Sequence, residues 1–375
     1  MRVVHVQRIG GIGGSERHVL TLLPALAERG LQVSFVGLDN PAGAPGPFYA
    51  ELEAARVPSV RLECPSDVDP LLVRRLRHAV RELGPDLVHT HLVHADLYGA
   101  LALLGRRIVL VSTKHNDDRF RTGPFRLVER LVTRRAARVI AITDALRRFT
   151  VTEVGVPARK VETIHYGLDR LPQPWAADLP PGVREGARVL LAIARLEAQK
   201  GLDVAVRALP AVRRSHRDAV LVVLGEGSER AALEALARRE GVADAVFLPG
   251  RVGDVAAWLY RAELLLHPAR WEGFGLALLE AMLASRPVVA TAVSSVPEIV
   301  ADGETGVLVP PEDPAALAQA VSGLLDDPAR ASRYGRAGYE RARASFSVDR
   351  MARRTAELYE RACDNPSRVR PSDSR

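Results

Sequence analysis

The sequence predicts an α/β protein made of two doubly wound domains, each a parallel sheet covered on both faces. Three observations predict it. Short apolar runs alternate with helical stretches along most of the 375 residues. The alternation breaks once, at Pro172–Gly186, which is rich in Pro, Gly and Ala and has no periodicity, and then restarts. Strands run into helices through glycine turns at Gly10–Gly14 and again at Gly225–Gly227.

In the first half, Val3–Val6 is a short buried strand, and Gly10-Gly11-Ile12-Gly13-Gly14 turns into a helix over Ser15–Arg29, with Ser15 as its cap. Leu31–Leu38 is the next strand. Asp86–Thr90, Ile108–Thr113, Val139–Ile142 and Val161–His165 follow as strands, interleaved with helices at Ala95–Leu104, Phe125–Ala136 and Ala145–Val154. In the second half, Arg188–Ala194, Ala219–Leu224, Val246–Leu248, Glu263–His267 and Pro287–Thr291 are strands. Helices lie at Gly201–Arg213 and Ser228–Arg239, a further one begins near Gly275, and two more close the chain at Arg330–Ala344 and Val348–Cys363. The expected domains are therefore 1–171 and 188–345, joined by a linker at 172–187. A helix at 346–364 should pack back toward the first domain, and 365–375 is a polar tail expected to be disordered.

Composition narrows the class. Hydrophobic content of 47% and charged content of 26% are ordinary for a globular protein. Cys64 and Cys363 form no CxxC pair, which argues for a reducing compartment and against a zinc ribbon. The opening MRVVHVQRIGGIGG lacks the apolar core of a signal peptide, and no apolar run reaches the roughly 18 residues of a membrane span. A cytoplasmic location is expected. The net charge is +7, with lysine only at Lys114, Lys160 and Lys200. That surplus of arginine reflects a GC-rich genome as readily as an anionic partner. No nucleic-acid motif accompanies it, so no nucleic-acid partner is expected.

The stretch Ala269–Asp313 carries the most chemistry. Glu272-Gly273-Phe274-Gly275 leads into a helix whose apolar face is Leu276, Leu279 and Leu283. A helix start with glycines before it offers unpaired N–H groups to a phosphate. Glu272 in the loop and Glu280 on the helix suit sugar or ribose hydroxyls instead. A site with both properties fits a nucleotide sugar; a strand, a turn and a core helix with two solvated glutamates fit the same residues. Arg195 follows a strand and Lys200 precedes a helix, so both face the same carboxyl edge of the sheet as Gly275. A cation about 4 Å from a phosphate contributes on the order of 4 kcal/mol at an effective dielectric of about 20. The pair could hold a diphosphate without a metal, and neither a metal nor another cofactor is expected.

Other patterns are weaker. His89, His91 and His94, with Asp96 after them, lie at a strand end and His115 follows the next strand. They fit a polar acceptor pocket better than a zinc spacing. Asp67-Val68-Asp69 has the DxD form of a metal-dependent sugar transferase, but Pro70 makes it a helix cap. Gly11-x-Gly13 has Glu16 where a dinucleotide turn has its third glycine, although Asp39 ends the second strand where a ribose-binding acid would stand. There is no GxxxxGK[ST], HExxH, GxSxG or Tyr-x-x-x-Lys pattern.

Taken in order, the motifs resemble the family-4 retaining glycosyltransferases of GT-B fold, two Rossmann-like domains facing a central cleft. They are Gly13-Gly14, His115, Arg195 with Lys200, Gly225-x-Gly227-x-x-Arg230, the Glu-x7-Glu of Glu272 and Glu280, Pro297-Glu298, and Gly303-x-x-Gly306. The resemblance covers Gly10 to about Ala344. It implies transfer of a hexosyl group from a UDP- or GDP-sugar to a hydroxyl of a glycan, lipid-linked or small-molecule acceptor, with retention by front-face attack. It implies that Arg195 and Lys200 hold the diphosphate, Glu280 the ribose and Glu272 the donor sugar. The amides of Gly273, Phe274, Gly275 and Leu276 would line sugar and phosphate, Gly225 and Arg230 would help bind the donor, and Val252 would pack the base. Gly13 and Gly14 would close over the diphosphate, and His115 would sit by the sugar. His91 belongs to the acceptor side. The sequence departs from the pattern at Ala194, at Ser294 and Ser295, and at Tyr166-Gly167-Leu168-Asp169.

The stretch Arg121–Arg138, with Phe125, Val128 and Leu131, and a second helix carrying Arg74, Arg75, Arg77 and Arg81, are basic and amphipathic. Contact with an anionic membrane at its inner face and a plain solvated arginine face are both open readings. The rival function is an NAD(P)-dependent oxidoreductase using Gly11–Gly14 and Asp39.

Overall fold

The computed structural model describes residues 1–40, 42–66, 68–116, 125–171 and 183–364, the side chains of 125–128 and 131 excepted. Most of the expected linker, the tail, Asp67, and the apolar stripe of Phe125, Val128 and Leu131 lie outside the described residues. The chain divides into two compact units, one from Met1–Gly167 joined by the segment after Val348, the other Leu168–Ser347.

The first unit runs β1 (Arg2–Ile9), α1 (Gly14–Glu28), β2 (Gln32–Asp39), α2 (Gly46–Ala54), β3 (Ser59–Glu63), α3 (Pro70–Leu83), β4 (Leu87–His91), α4 (Leu92–Ala102), β5 (Val109–Lys114), α5 (Phe125–Arg135), β6 (Arg138–Ala141), α6 (Asp144–Phe149) and β7 (Val161–Thr163). The second runs β8 (Arg188–Ile193), α7 (Leu202–Ser215), β9 (Ala219–Leu224), α8 (Arg230–Arg239), β10 (Val246–Gly250), α9 (Val255–Arg261), β11 (Leu264–His267), α10 (Leu276–Leu283), β12 (Val288–Thr291), α11 (Val296–Ile299), β13 (Gly306–Val309), α12 (Pro314–Asp326) and α13 (Pro328–Ser345). α14 (Val348–Cys363) then completes the first unit.

The strands order β3-β2-β1-β4-β5-β6-β7 in one sheet and β10-β9-β8-β11-β12-β13 in the other, with every pairing parallel. In each sheet the direction of winding reverses once, between β1 and β4 and between β8 and β11. Helices on either side of such a reversal diverge and leave a crevice beyond the carboxyl ends of the strands.

Helix starts are written in the sequence. Asp69, Asp313 and Asp327 each cap a helix whose first residue is proline, and their carboxylates accept the N–H of Leu71, Ala316 and Arg330 at 2.9 Å. Asp69 is thus a cap, as Pro70 suggests. Ser15 is not: α1 begins one residue earlier, at Gly14 after Gly13, and the Glu16 carboxylate accepts the Gly13 N–H at 2.9 Å. A glycine at the cap has no side chain to bond inward, so the carboxylate three residues on supplies the bond.

In the first core, Val3, Ile9 and Phe35 of the sheet meet Leu22, Leu23 and Leu26 of α1 and Met351, Leu358 and Tyr359 of α14. Burying those last three side chains contributes on the order of 6 kcal/mol before entropy, so α14 is an integral part of this unit. Beside the core, Lys114 is buried between Asp96 (2.6 Å) and Glu129. Thr90 (2.6 Å) and Ser112 (2.7 Å) donate to the other Asp96 oxygen, tying α4 and α5 to the sheet.

Candidate functional site

In the second unit four loops meet beyond β8, β9, β11 and β12. Their backbones touch where only glycine fits: a Cβ on Gly201 would lie 2.0 Å from the Pro268 carbonyl oxygen, and one on Gly225 2.0 Å from that of Ala194. Both also have positive φ, +58° and +144°. The β8 loop is thereby pressed between the loops after β11 and β9, at the point where the winding reverses.

Glu272 is the centre of this arrangement. It is buried, and one carboxylate oxygen accepts from Lys200 Nζ at 2.6 Å and lies 2.9 Å from His267 Nε2. Its other oxygen is 3.1 Å from the Gly273 N–H. Burial alone would raise the Glu272 pKa. The His267 hydrogen bond and the Lys200 ammonium outweigh it and hold the carboxyl well below the usual range. An ionised acceptor is therefore held inside the loop at neutral pH, with three donors fixing its orientation.

The surrounding backbone is braced from both sides. The buried hydroxyl of Ser295 faces the carbonyls of Glu272 (3.0 Å) and Phe274 (3.3 Å). Arg270 forks onto Asp203 at 3.0 and 2.9 Å and reaches Glu312. Ser294, with φ at +45°, turns the chain so that Ser295 points back at the loop. Ser295, where the family pattern has glycine, thus anchors the Glu272 segment.

The other residues named from sequence are placed as follows. Phe274 and Gly273 are buried, Gly275 caps α10 in a left-handed conformation, Leu276 opens the helix, and Glu280 is half-buried one turn later. Arg195 is exposed, 3.4 Å from Gln199 Oε1, and Gln199 in turn donates to the Trp271 carbonyl at 3.0 Å. Val252 is half-buried just after β10. Arg230 donates to the Leu248 carbonyl at 2.7 Å and pairs with Glu234 at 3.1 Å. Arg230 therefore locks α8 to β10, and Gly225 answers to backbone crowding; both have structural partners that explain them.

In the first unit, Gly13 and Gly14 are exposed at the start of α1. Glu16 occupies the Gly13 amide, and Gln7 Nε2 donates to the other Glu16 oxygen at 2.9 Å. The helix start thus carries its own carboxylate. Asp39 is buried, bonded to the Tyr49 hydroxyl and to Arg61 Nε at 2.8 Å, which leaves the oxidoreductase reading without its ribose acid. His91 and His115 are buried and 3.0 Å apart, and His115 Nδ1 is bonded to the Tyr166 hydroxyl. His94 stands apart, with Arg8 at 3.0 Å, and the histidines clustered with His91 are His89 and His5.

His267 and His5 were not singled out from sequence, and Ser295 only as a departure from the family pattern. Asp-free strand ends such as LLLH give no spacing cue, but a histidine as the last residue of an apolar strand, aimed at the same carboxyl edge as Lys200, was a readable one. His5 sits inside the apolar VVHV of β1 and gives no such cue.

Comparison with known proteins gives this architecture its class. It matches HepE of Anabaena, in a structure with UDP and glucose, at a TM-score of 0.82 and 22% identity over 96% of this chain and 100% of that one. The fold is GT-B. The model for Glycosyltransferase Family 4 matches residues 12–170, and that for Glycosyl transferases group 1 matches residues 178–341. Glycogen synthase of Mycobacterium tuberculosis is 33% identical over 293 residues, 74% of this chain and 69% of the relative. D-inositol 3-phosphate glycosyltransferase 2 of Catenulispora acidiphila is 31% identical over 398 aligned positions, 96% of this chain and 93% of the relative. The chain belongs to glycosyltransferase family 4 and is a glycosyltransferase.

Proposed function

We propose that the chain transfers a hexosyl group, with retention and without a metal, from a nucleotide-diphosphate sugar to a hydroxyl of a glycan, lipid-linked or small-molecule acceptor. The observation that carries this reading is the buried, ionised Glu272 held by Lys200 and His267 at the β8–β11 reversal. A carboxylate that accepts sugar hydroxyls and a cation that accepts developing phosphate charge are needed side by side. Lys200 with Arg195 would take the diphosphate, Glu272 the donor sugar, Glu280 the ribose, and the amides from Gly273 to Leu276 the sugar and phosphate. The bound UDP of the HepE structure favours a UDP-sugar over a GDP-sugar.

As the glycosidic C–O bond lengthens, negative charge gathers on the leaving diphosphate. Lys200 can then exchange its pairing with Glu272 for the phosphate, so stabilisation grows toward the transition state. His267 keeps Glu272 oriented while this happens. The first unit is assigned the acceptor. Among the described residues no helix is long and apolar enough to cross a membrane.

The test is slow hydrolysis of a panel of UDP- and GDP-sugars, followed by NMR of the anomeric product. An α-configured sugar from an α-linked donor is expected. Glu272→Gln should lower kcat/KM by about 100-fold or more, an effect of one missing charge-developing contact. Turnover unaffected by that change, or an inverted anomer, would refute the reading.

A further inference from the structure

Seven buried side chains of the first unit touch end to end. Thr113 Oγ1 lies 2.6 Å from His89 Nε2, and His89 Nδ1 lies 2.6 Å from the Tyr359 hydroxyl. That hydroxyl is 3.3 Å from His5 Nε2, and His5 Nδ1 is 3.0 Å from His91 Nε2. His91 Nδ1 is 3.0 Å from His115 Nε2, and His115 Nδ1 meets the Tyr166 hydroxyl. The run links β5, β4, α14 and β1, and ends on the segment after β7.

A neutral imidazole carries one ring proton, so one nitrogen donates and the other accepts. In a chain of such rings, fixing the direction of one bond fixes them all. Burial, reinforced by neighbouring histidines, holds His5, His89 and His91 unprotonated at neutral pH.

The Thr113 end sets the direction. Among the described residues its hydroxyl has one partner, His89. A buried O–H with no acceptor is costlier than a lone pair with no donor. Thr113 therefore donates to His89 Nε2, His89 Nδ1–H donates to Tyr359, and Tyr359 donates to His5 Nε2. His5 Nδ1–H then donates to His91, His91 Nδ1–H to His115, and His115 Nδ1–H to Tyr166. All four histidines carry the proton on Nδ1.

His5, His89 and His91 are also close enough to suggest a metal ion. The chain counts against it. Their ring nitrogens have protein partners, and no carboxylate is among those partners to offset a dication in a dry interior.

We propose that Tyr359 of α14 is a positioning residue for His115: through His5 and His91 it fixes the tautomer and ring orientation of that histidine. The tautomer follows from the chain alone. Its consequence for transfer rests on the transferase reading proposed above, together with the role that the family resemblance implies for His115.

The experiment uses the full chain with ¹⁵N-labelled histidine, long-range ¹H–¹⁵N correlation at pH 8, and donor kinetics. The wild type should show the Nδ1–H pattern at His5, His89, His91 and His115. Tyr359→Phe keeps the ring and its packing but removes the link, so His5, His91 and His115 should show mixed tautomers. With it kcat should fall about tenfold while the donor KM stays within about twofold. If that variant does not fold, Thr113→Val removes the first donor and should disturb the same signals. An Nε2–H pattern in the wild type, unchanged tautomers in the variants, or a stoichiometric metal in the purified protein overturns the proposal. Altered tautomers with unchanged kcat leave the chain standing and remove His115 from the donor site.

Discussion

Mild acid should destabilise the first unit. His5, His18, His89 and His91 are buried, and burial lowers the pKa of each from 6.5, to about 3 for His5. Among the described residues Nδ1 of His18 has no hydrogen-bond partner, so that ring gains no bond from a proton there. Above pH 6.5 neither the folded nor the unfolded chain protonates these rings, and they cost nothing. Below it the unfolded chain takes up protons that the folded one refuses, so stability falls with pH until the folded rings titrate, near pH 3 for His5. For His5 the loss is about 0.7 kcal/mol between pH 7 and 6, and about 2 kcal/mol between pH 7 and 5. His18, His89 and His91 act in the same direction, against a domain stability of about 5–15 kcal/mol. The melting temperature of the first unit should therefore fall by at least about 1–3 °C between pH 7 and 6, and further toward pH 5. Hydrogen exchange near pH 5 should show β1, β4 and α14 losing protection before the β8–β11 core. A melting temperature flat from pH 7 to 5, or equal loss of protection in both units, would refute the argument.

Three further changes have defined outcomes. Ser295→Ala removes the hydroxyl that holds the Glu272 and Phe274 carbonyls, at a cost of about 1–2 kcal/mol, and should raise donor KM more than it lowers the melting temperature. Gly225→Ala places a methyl 2.0 Å from the Ala194 carbonyl oxygen at φ +144° and should destabilise the second unit by about 3 kcal/mol or more, read by denaturant melts. Lys114→Met strands the Asp96 and Glu129 carboxylates in the core and should cost about 3–5 kcal/mol, lessened in the double change with Glu129→Gln.

Much of this was legible because the signals are local. The Pro and Gly of the interdomain stretch, the Asp-Pro caps and the glycine turns are short-range chemistry, and they place the strands around Arg195, Lys200 and Glu272. What stayed hidden depends on distant partners. β3, SVRLE, was not among the strands read from sequence: only Val60 and Leu62 mark its inner face, and as an edge strand it has no fully buried residue. α12 went unread although Asp313-Pro314 announces it. His5 and Tyr359 are 354 positions apart and meet only through the sheet and α14. Glu16 looked like a failed third glycine; in space it is the cap of α1. The pairing of Lys200 with Glu272 spans 72 positions, and no spacing rule carries it.

The return of α14 to the first unit bears on how the chain is made. That unit lacks part of its interior until Cys363 has been synthesised, long after Gly167. The second unit is continuous from Leu168 to Ser347 and can close earlier. At about 5–20 residues per second the opening half waits on the order of 10–40 s for α14. During that interval the part of the first core that Met351, Leu358 and Tyr359 complete is open to a chaperone, so yield in the cell should depend on translation speed more than on the stability of the finished enzyme.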